Sequence, residues 1–111
     1  MDSTTMIDLC KRHTLYAWSQ QSTVDPLPVA RAEGVYLYTP EGRRILDFNS
    51  QLMSVNIGHN HPRVVERIKR AMDEHPLFVY PGTATEPRAR LGQLLAEITP
   101  PAINTFFFTL G

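Results

Sequence analysis

Thr105-Phe106-Phe107-Phe108-Thr109-Leu110, followed by Gly111, is the stretch on which the fold turns. It is apolar and aromatic, with Pro100-Pro101 before it and a glycine behind it, and a buried strand over residues 104–110 fits that pattern best. In open α/β sheets, ligands gather beyond the carboxyl ends of strands. A glycine there lets backbone N–H groups approach a phosphate at the start of the next helix. That helix would lie past Gly111, so the sequence reads as the front part of an α/β protein. The run is also open to a plainer reading, a core strand that happens to end in glycine. In either case both faces of the strand need neighbours, because alone it would expose unpaired edges and apolar side chains.

Working outward, a helix over residues 85–98 precedes the run. Thr85 stands at its N-cap, Pro87 in its first turn, and Leu91, Leu94, Leu95 and Ile98 form an apolar stripe before Thr99-Pro100-Pro101 stops it. Residues 77–83 are irregular. Another helix spans residues 62–74, with Pro62 first and Val64, Val65, Ile68, Ala71 and Met72 at helical spacing. Further back, Val35-Tyr36-Leu37-Tyr38, then Thr39-Pro40-Glu41-Gly42, then Arg44-Ile45-Leu46-Asp47-Phe48 spell a hairpin. Pro40 presets the turn and Gly42 closes a bulge. Ala32-Glu33-Gly34 suggests a further turn, with a short strand over residues 29–31. Residues 13–28 read as an extended arm carrying aromatics, and residues 4–12 as a short helix too small to be stable unpacked.

Of the 111 residues, 42% are hydrophobic and 20% charged, with a formal net charge of zero. Such a chain has no long-range field to draw nucleic acid or an anionic membrane. Cys10 is the only cysteine, which rules out an intrachain disulfide and gives no sign of an oxidising compartment. With no run of about 20 apolar residues and no signal-peptide pattern, the expectation is a cytoplasmic protein.

The sequence words, in order, are Glu33-Gly34-Val35-Tyr36-Leu37-Tyr38, Pro40-Glu41-Gly42-Arg43-Arg44-Ile45-Leu46-Asp47-Phe48, Val55-Asn56-Ile57-Gly58-His59-Asn60-His61-Pro62 and Phe106-Phe107-Phe108-Thr109-Leu110-Gly111. Together they resemble the N-terminal quarter or so of class III aminotransferases, pyridoxal-phosphate enzymes of fold type I, from about His13 onward. The resemblance implies an α/β fold begun here by a helix, an antiparallel hairpin and helices that lead into the first strand of a large domain. Residues 1–60 would be the arm and hairpin of the small domain, and residues 61–111 the beginning of the cofactor-binding domain. It implies pyridoxal 5′-phosphate as cofactor, with Gly111 at the start of its phosphate loop. It further implies an amine or amino acid and a keto acid as substrates, and a homodimer. The resemblance also implies a Schiff-base lysine far downstream; Lys11 and Lys69, in charged helical stretches, do not match its context, and no residue of the chain is assigned a catalytic role.

By the same resemblance, Trp18, Met53, Pro81 and Gly82 contact substrate. Trp18 matches an arm aromatic that faces the pocket, or else packs under the hairpin. Met53 stands where many amine-accepting relatives carry tryptophan, or simply fills space. Residues 80–83 match a segment that reaches the neighbouring subunit's site, or form a plain interhelix loop. Asn56 and Gly58 read as loop-shaping residues, and Glu41 and Asp47 as solvent-exposed groups at the turn and strand end. Two other readings stay open: a stand-alone oligomerisation or small binding module derived from such an enzyme, and a metal module built on His59 and His61 with His13 and His75.

Overall fold

A computed structural model describes residues 1–109 of the chain. They fall into two compact units, Met1–Glu74 and His75–Gly111.

The first unit is built around a three-stranded antiparallel sheet in the order β1 (Arg31–Glu33), β2 (Tyr36–Tyr38), β3 (Arg44–Leu46). Residues 32 and 33, expected in a turn, belong to β1, and the turn is confined to Gly34 and Val35: Glu33 pairs with Tyr36 across it. Gly34 supplies the positive φ, +57°, that such a two-residue connection demands. The second turn follows its sequence. Gly42 N donates to Thr39 O at 2.9 Å, Pro40 sits at the second position, and Gly42 takes φ +85°. Guanidinium groups cover the tyrosines of β2, Arg31 over the Tyr38 ring at 3.6 Å and Arg44 over Tyr36 at 4.6 Å.

Helix α1 (Ser3–His13) begins one residue earlier and ends one later than its periodicity suggests, because Asp2 caps it: its Oδ1 accepts from Thr5 N at 2.9 Å. A second carboxylate arrives from the β2–β3 turn. Glu41 accepts from Ser3 N at 2.8 Å and from Ser3 Oγ at 2.5 Å, an anion placed at the positive end of the helix. Among the described residues, these are the only hydrogen bonds joining residues 1–29 to the rest of the unit. The two Ser3 donors hold the Glu41 carboxyl down at about 2, from an ordinary 4.5. A depressed carboxylate pKa makes this tether complete above the ordinary value and lost as pH falls from 4.5 towards 2. Glu41→Gln in the intact protein is therefore expected to raise amide exchange throughout Ser3–His13 at neutral pH while β1–β3 keep their protection.

After β3 the chain makes one irregular turn, α2 (Ser50–Met53), and then helix α3 (Pro62–Glu74), whose limits coincide with those read from the sequence. His61 O receives Val64 N and Val65 N at 3.0 Å each, so His61 occupies the N-cap position. The exposed side of α3 carries Arg67 and Arg70 paired with Glu74.

In the second unit, helix α4 (Glu86–Ile98) starts after Thr85, as expected, but Thr85 makes no side-chain cap. Arg88 Nη1 instead donates to Pro81 O at 2.8 Å and ties the 80–83 turn to the helix. Residues 104–109 form no strand. The physical reason is that a strand is defined by its partners, and nothing among the described residues offers a ladder. Leu110 and Gly111, with the phosphate-loop expectation, lie outside the described residues.

No apolar side chain among the described residues is fully buried. The stripe of α3 leaves Ile68 and Met72 more than half exposed, and that of α4 does the same with Leu94 and Ile98.

Candidate functional site

Three segments of the first unit meet beside the β1–β2 turn. Gly34 and His59 exchange backbone hydrogen bonds, Gly34 N to His59 O at 3.0 Å and His59 N to Gly34 O at 2.7 Å, and Asp47 N donates to Val35 O at 2.9 Å. The approach is close because Gly58 has no side chain: a Cβ there would stand 3.1 Å from Gly34 O and 3.2 Å from Gly34 Cα. Asn60, itself at φ +51°, adds a bond from Nδ2 to Ala32 O at 2.6 Å.

This arrangement brings the His59 imidazole onto Asp47, with Nε2 2.6 Å from Oδ2. The side chains are 17% and 8% exposed, respectively. Asp47 was expected to be a solvent-exposed strand-end residue; it is instead enclosed by the 58–60 turn, which folds back over the end of β3. No pattern in the hairpin itself announces that return, although the Gly58-His59 dipeptide after a polar loop was a usable signal. The imidazole hydrogen bond, the largest influence, holds the Asp47 carboxyl below its ordinary range; burial opposes it, and Gln51 N adds to it by donating to the same Oδ2 at 2.9 Å. His61 Nδ1 is, among the described residues, the one buried side-chain polar atom without a partner. An open groove of about 600 Å³ runs beside the junction, with Arg31, Glu33, His59, Asn60 and His61 among its lining.

The residues expected to contact substrate divide between the units. Trp18 and Met53 belong to the first. Trp18 is 90% exposed at φ +55°, so it does not pack under the hairpin, and Met53 is 79% exposed at φ +58°, so it fills no core space. Pro81 and Gly82 belong to the second, at the centre of a turn closed by Thr83 N donating to Tyr80 O at 2.8 Å. A Cβ on Gly82 would meet the Tyr80 ring at 2.7 Å. Pro81 also lines an open apolar groove of about 520 Å³ with Leu91, Phe107 and Phe108. The two lysines, Lys11 and Lys69, are exposed on α1 and α3. His59 is committed to Asp47, and among the described residues no group of three or more His, Cys, Asp or Glu side chains gathers around one point. No helix among them is long and apolar enough to cross a membrane.

The family model described as "Aminotransferase class-III" matches residues 17–111. A putrescine–pyruvate aminotransferase of Pseudomonas aeruginosa is 35% identical over 82 residues, which are 73% of this chain and 18% of that protein. An acetylornithine aminotransferase of Archaeoglobus fulgidus is 33% identical over 100 residues, 88% of this chain and 24% of the relative. Among solved structures, an (S)-enantioselective omega-transaminase from Thermomicrobium roseum superposes on all of this chain with a TM-score of 0.90 at 29% identity, using 26% of its own length. The chain thus spans roughly a fifth to a quarter of the proteins it matches.

Proposed function

Because the chain belongs to the class III aminotransferase family, we propose that it is the N-terminal portion of a pyridoxal-phosphate-dependent enzyme that moves an amino group from an amine or amino acid to a keto acid. The observation that carries this reading is the superposition of the whole chain on the omega-transaminase at a TM-score of 0.90. The taurine:2-oxoglutarate aminotransferase from Bifidobacterium kashiwanohense, whose structure holds PLP and glutamate, superposes with a TM-score of 0.80.

The described residues do not themselves form a seat for that cofactor. Lys11 and Lys69 are exposed on helices, whereas a lysine that bonds to it covalently must be desolvated and aimed. Residues 1–109 would therefore shape the pocket without performing the chemistry. Trp18 and Met53 would present apolar surface to the amine, and the Pro81-Gly82 turn, held by Arg88, would reach towards the neighbouring subunit's site. The wider proposal has residues 1–60 in the small domain and residues 61–111 at the start of the cofactor domain with Gly111 in its phosphate loop. It also places the protein in the cytoplasm as a homodimer. The uncovered stripes of α3 and α4 support a role inside a larger assembly.

The test is an amino-transfer assay on the intact polypeptide that carries this segment, supplied with the cofactor, a panel of primary amines and amino acids, and pyruvate or 2-oxoglutarate. Keto-acid consumption matched by carbonyl product is the expected result. No turnover with any pair would defeat the reading.

A further inference from the structure

Asp47 Oδ2 takes two hydrogen bonds at once, from Gln51 N and with His59 Nε2. Gln51 lies in strained backbone: its φ and ψ are 63° and −75°, in the γ-turn region, and Leu52 beside it is at −148° and 59°. Of the five non-glycine residues with positive φ among those described, three fall in this one turn, Ser50, Gln51 and Met53. Such conformations persist for residues carrying a Cβ only where the surroundings over-determine them.

Here the surroundings can be named. Gln51 is held at its N–H by Asp47, at its carbonyl by Asn49 Nδ2 at 2.8 Å, and at its side chain by the Ser54 hydroxyl. Asp47 is fixed in turn by its backbone bond to Val35 and by His59, and His59 by its backbone bridge to Gly34. A continuous line of constraint therefore runs from the β1–β2 turn through His59 and Asp47 to the strained turn, and it ends at Met53. We infer that Asp47 and His59 are positioning residues for Met53, holding the 50–53 turn in the shape that presents this side chain to the amine and so setting how bulky an amine is accepted. The inference rests on the reading of Met53 as a pocket residue.

The test uses the intact protein in two measurements, one of which needs no substrate. Amide exchange at Gln51 is expected to rise at least roughly tenfold in His59→Ala and Asp47→Ala, since each change loosens the acceptor of its N–H. The ratio of KM values for 1-phenylethylamine and isopropylamine is expected to change about tenfold in the same variants. His59→Gln, whose Nε2 can donate to the same carboxylate oxygen, restores both. His59→Phe keeps the ring volume without the donor, carries the same expectation as alanine, and separates the lost bond from a cavity or a folding failure. Unchanged exchange at Gln51 in both His59→Ala and His59→Phe overturns the inference whether or not the protein transaminates. Raised exchange with an unchanged KM ratio overturns the positioning role. An unsubstituted protein that turns over no amine defeats the aminotransferase reading, and the role of Met53 with it, a failure distinct from the first because exchange is read without substrate.

Discussion

Produced by itself, the 111-residue chain is expected to unfold without a cooperative transition, to bind a hydrophobic dye in its unheated state, and to self-associate as concentration rises. The reason is the missing interior. Phe48, Trp18, Phe78 and Phe107 are 93%, 90%, 96% and 87% exposed, and each large apolar side chain left in water forgoes about 1.5–3 kcal/mol of burial. Against this, ordering the backbone costs roughly 1–2 kcal/mol per residue. The three strands are three residues each, and a sheet that small is stable only when its face is packed. Helices α3 and α4, at thirteen residues, are marginal in isolation. Far-ultraviolet dichroism during heating and a urea titration would measure the outcome. Pyridoxal phosphate added to the isolated chain should leave no more modified lysine after dialysis than a comparable peptide with two exposed lysines. A sharp transition with a defined oligomer would instead favour a stand-alone module, in which a second copy covers the stripes.

The parts legible in the sequence are those whose cause is local. Pro62 at its start and His75-Pro76 after its end mark the limits of α3, and Pro40 with Gly42 marks the β2–β3 turn, because one turn of chain contains all the interactions involved. The strand expected over residues 104–110 does not form among the described residues, since its cause is non-local. The site divides in the same way. Trp18, Met53, Pro81 and Gly82 could be singled out only through the family words, since no local pattern of periodicity or turn chemistry marks them as pocket residues. The Asp47–His59 pair is not legible in the sequence, because its partners are twelve residues apart and meet only when the 58–60 turn folds back on Gly34. The strain at Gln51 was equally invisible, as a glutamine gives no hint of a γ-turn.

Gly58→Ala is expected to destabilise the intact protein by about 2–3 kcal/mol, and Gly34→Ala by only about 1–2 kcal/mol, although both glycines sit at positive φ. Gly34 is at +57°, the centre of the left-handed region, and a Cβ added there meets nothing within 4 Å; its cost is conformational alone. Gly58 is at +82°, and its Cβ would press on the O, Cα and C of Gly34 at 3.1, 3.2 and 3.3 Å. Those are backbone atoms of a paired turn, with no rotamer to swing aside, so relief must come from parting Gly34 and His59. Both bonds of that bridge would lengthen, and His59 would be drawn off Asp47. Asparagine separates the two causes, since it tolerates left-handed backbone but still carries a Cβ. Gly34→Asn should recover most of the stability lost in Gly34→Ala, whereas Gly58→Asn should remain as unstable as Gly58→Ala. Urea titration of the four variants measures the costs, and the imidazole resonances of His59 report whether its contact with Asp47 is lost together with the bridge. Equal costs at the two glycines would mean that the 58–60 turn can move away from Gly34 freely, and the junction that holds Asp47 would then be far looser than its distances imply.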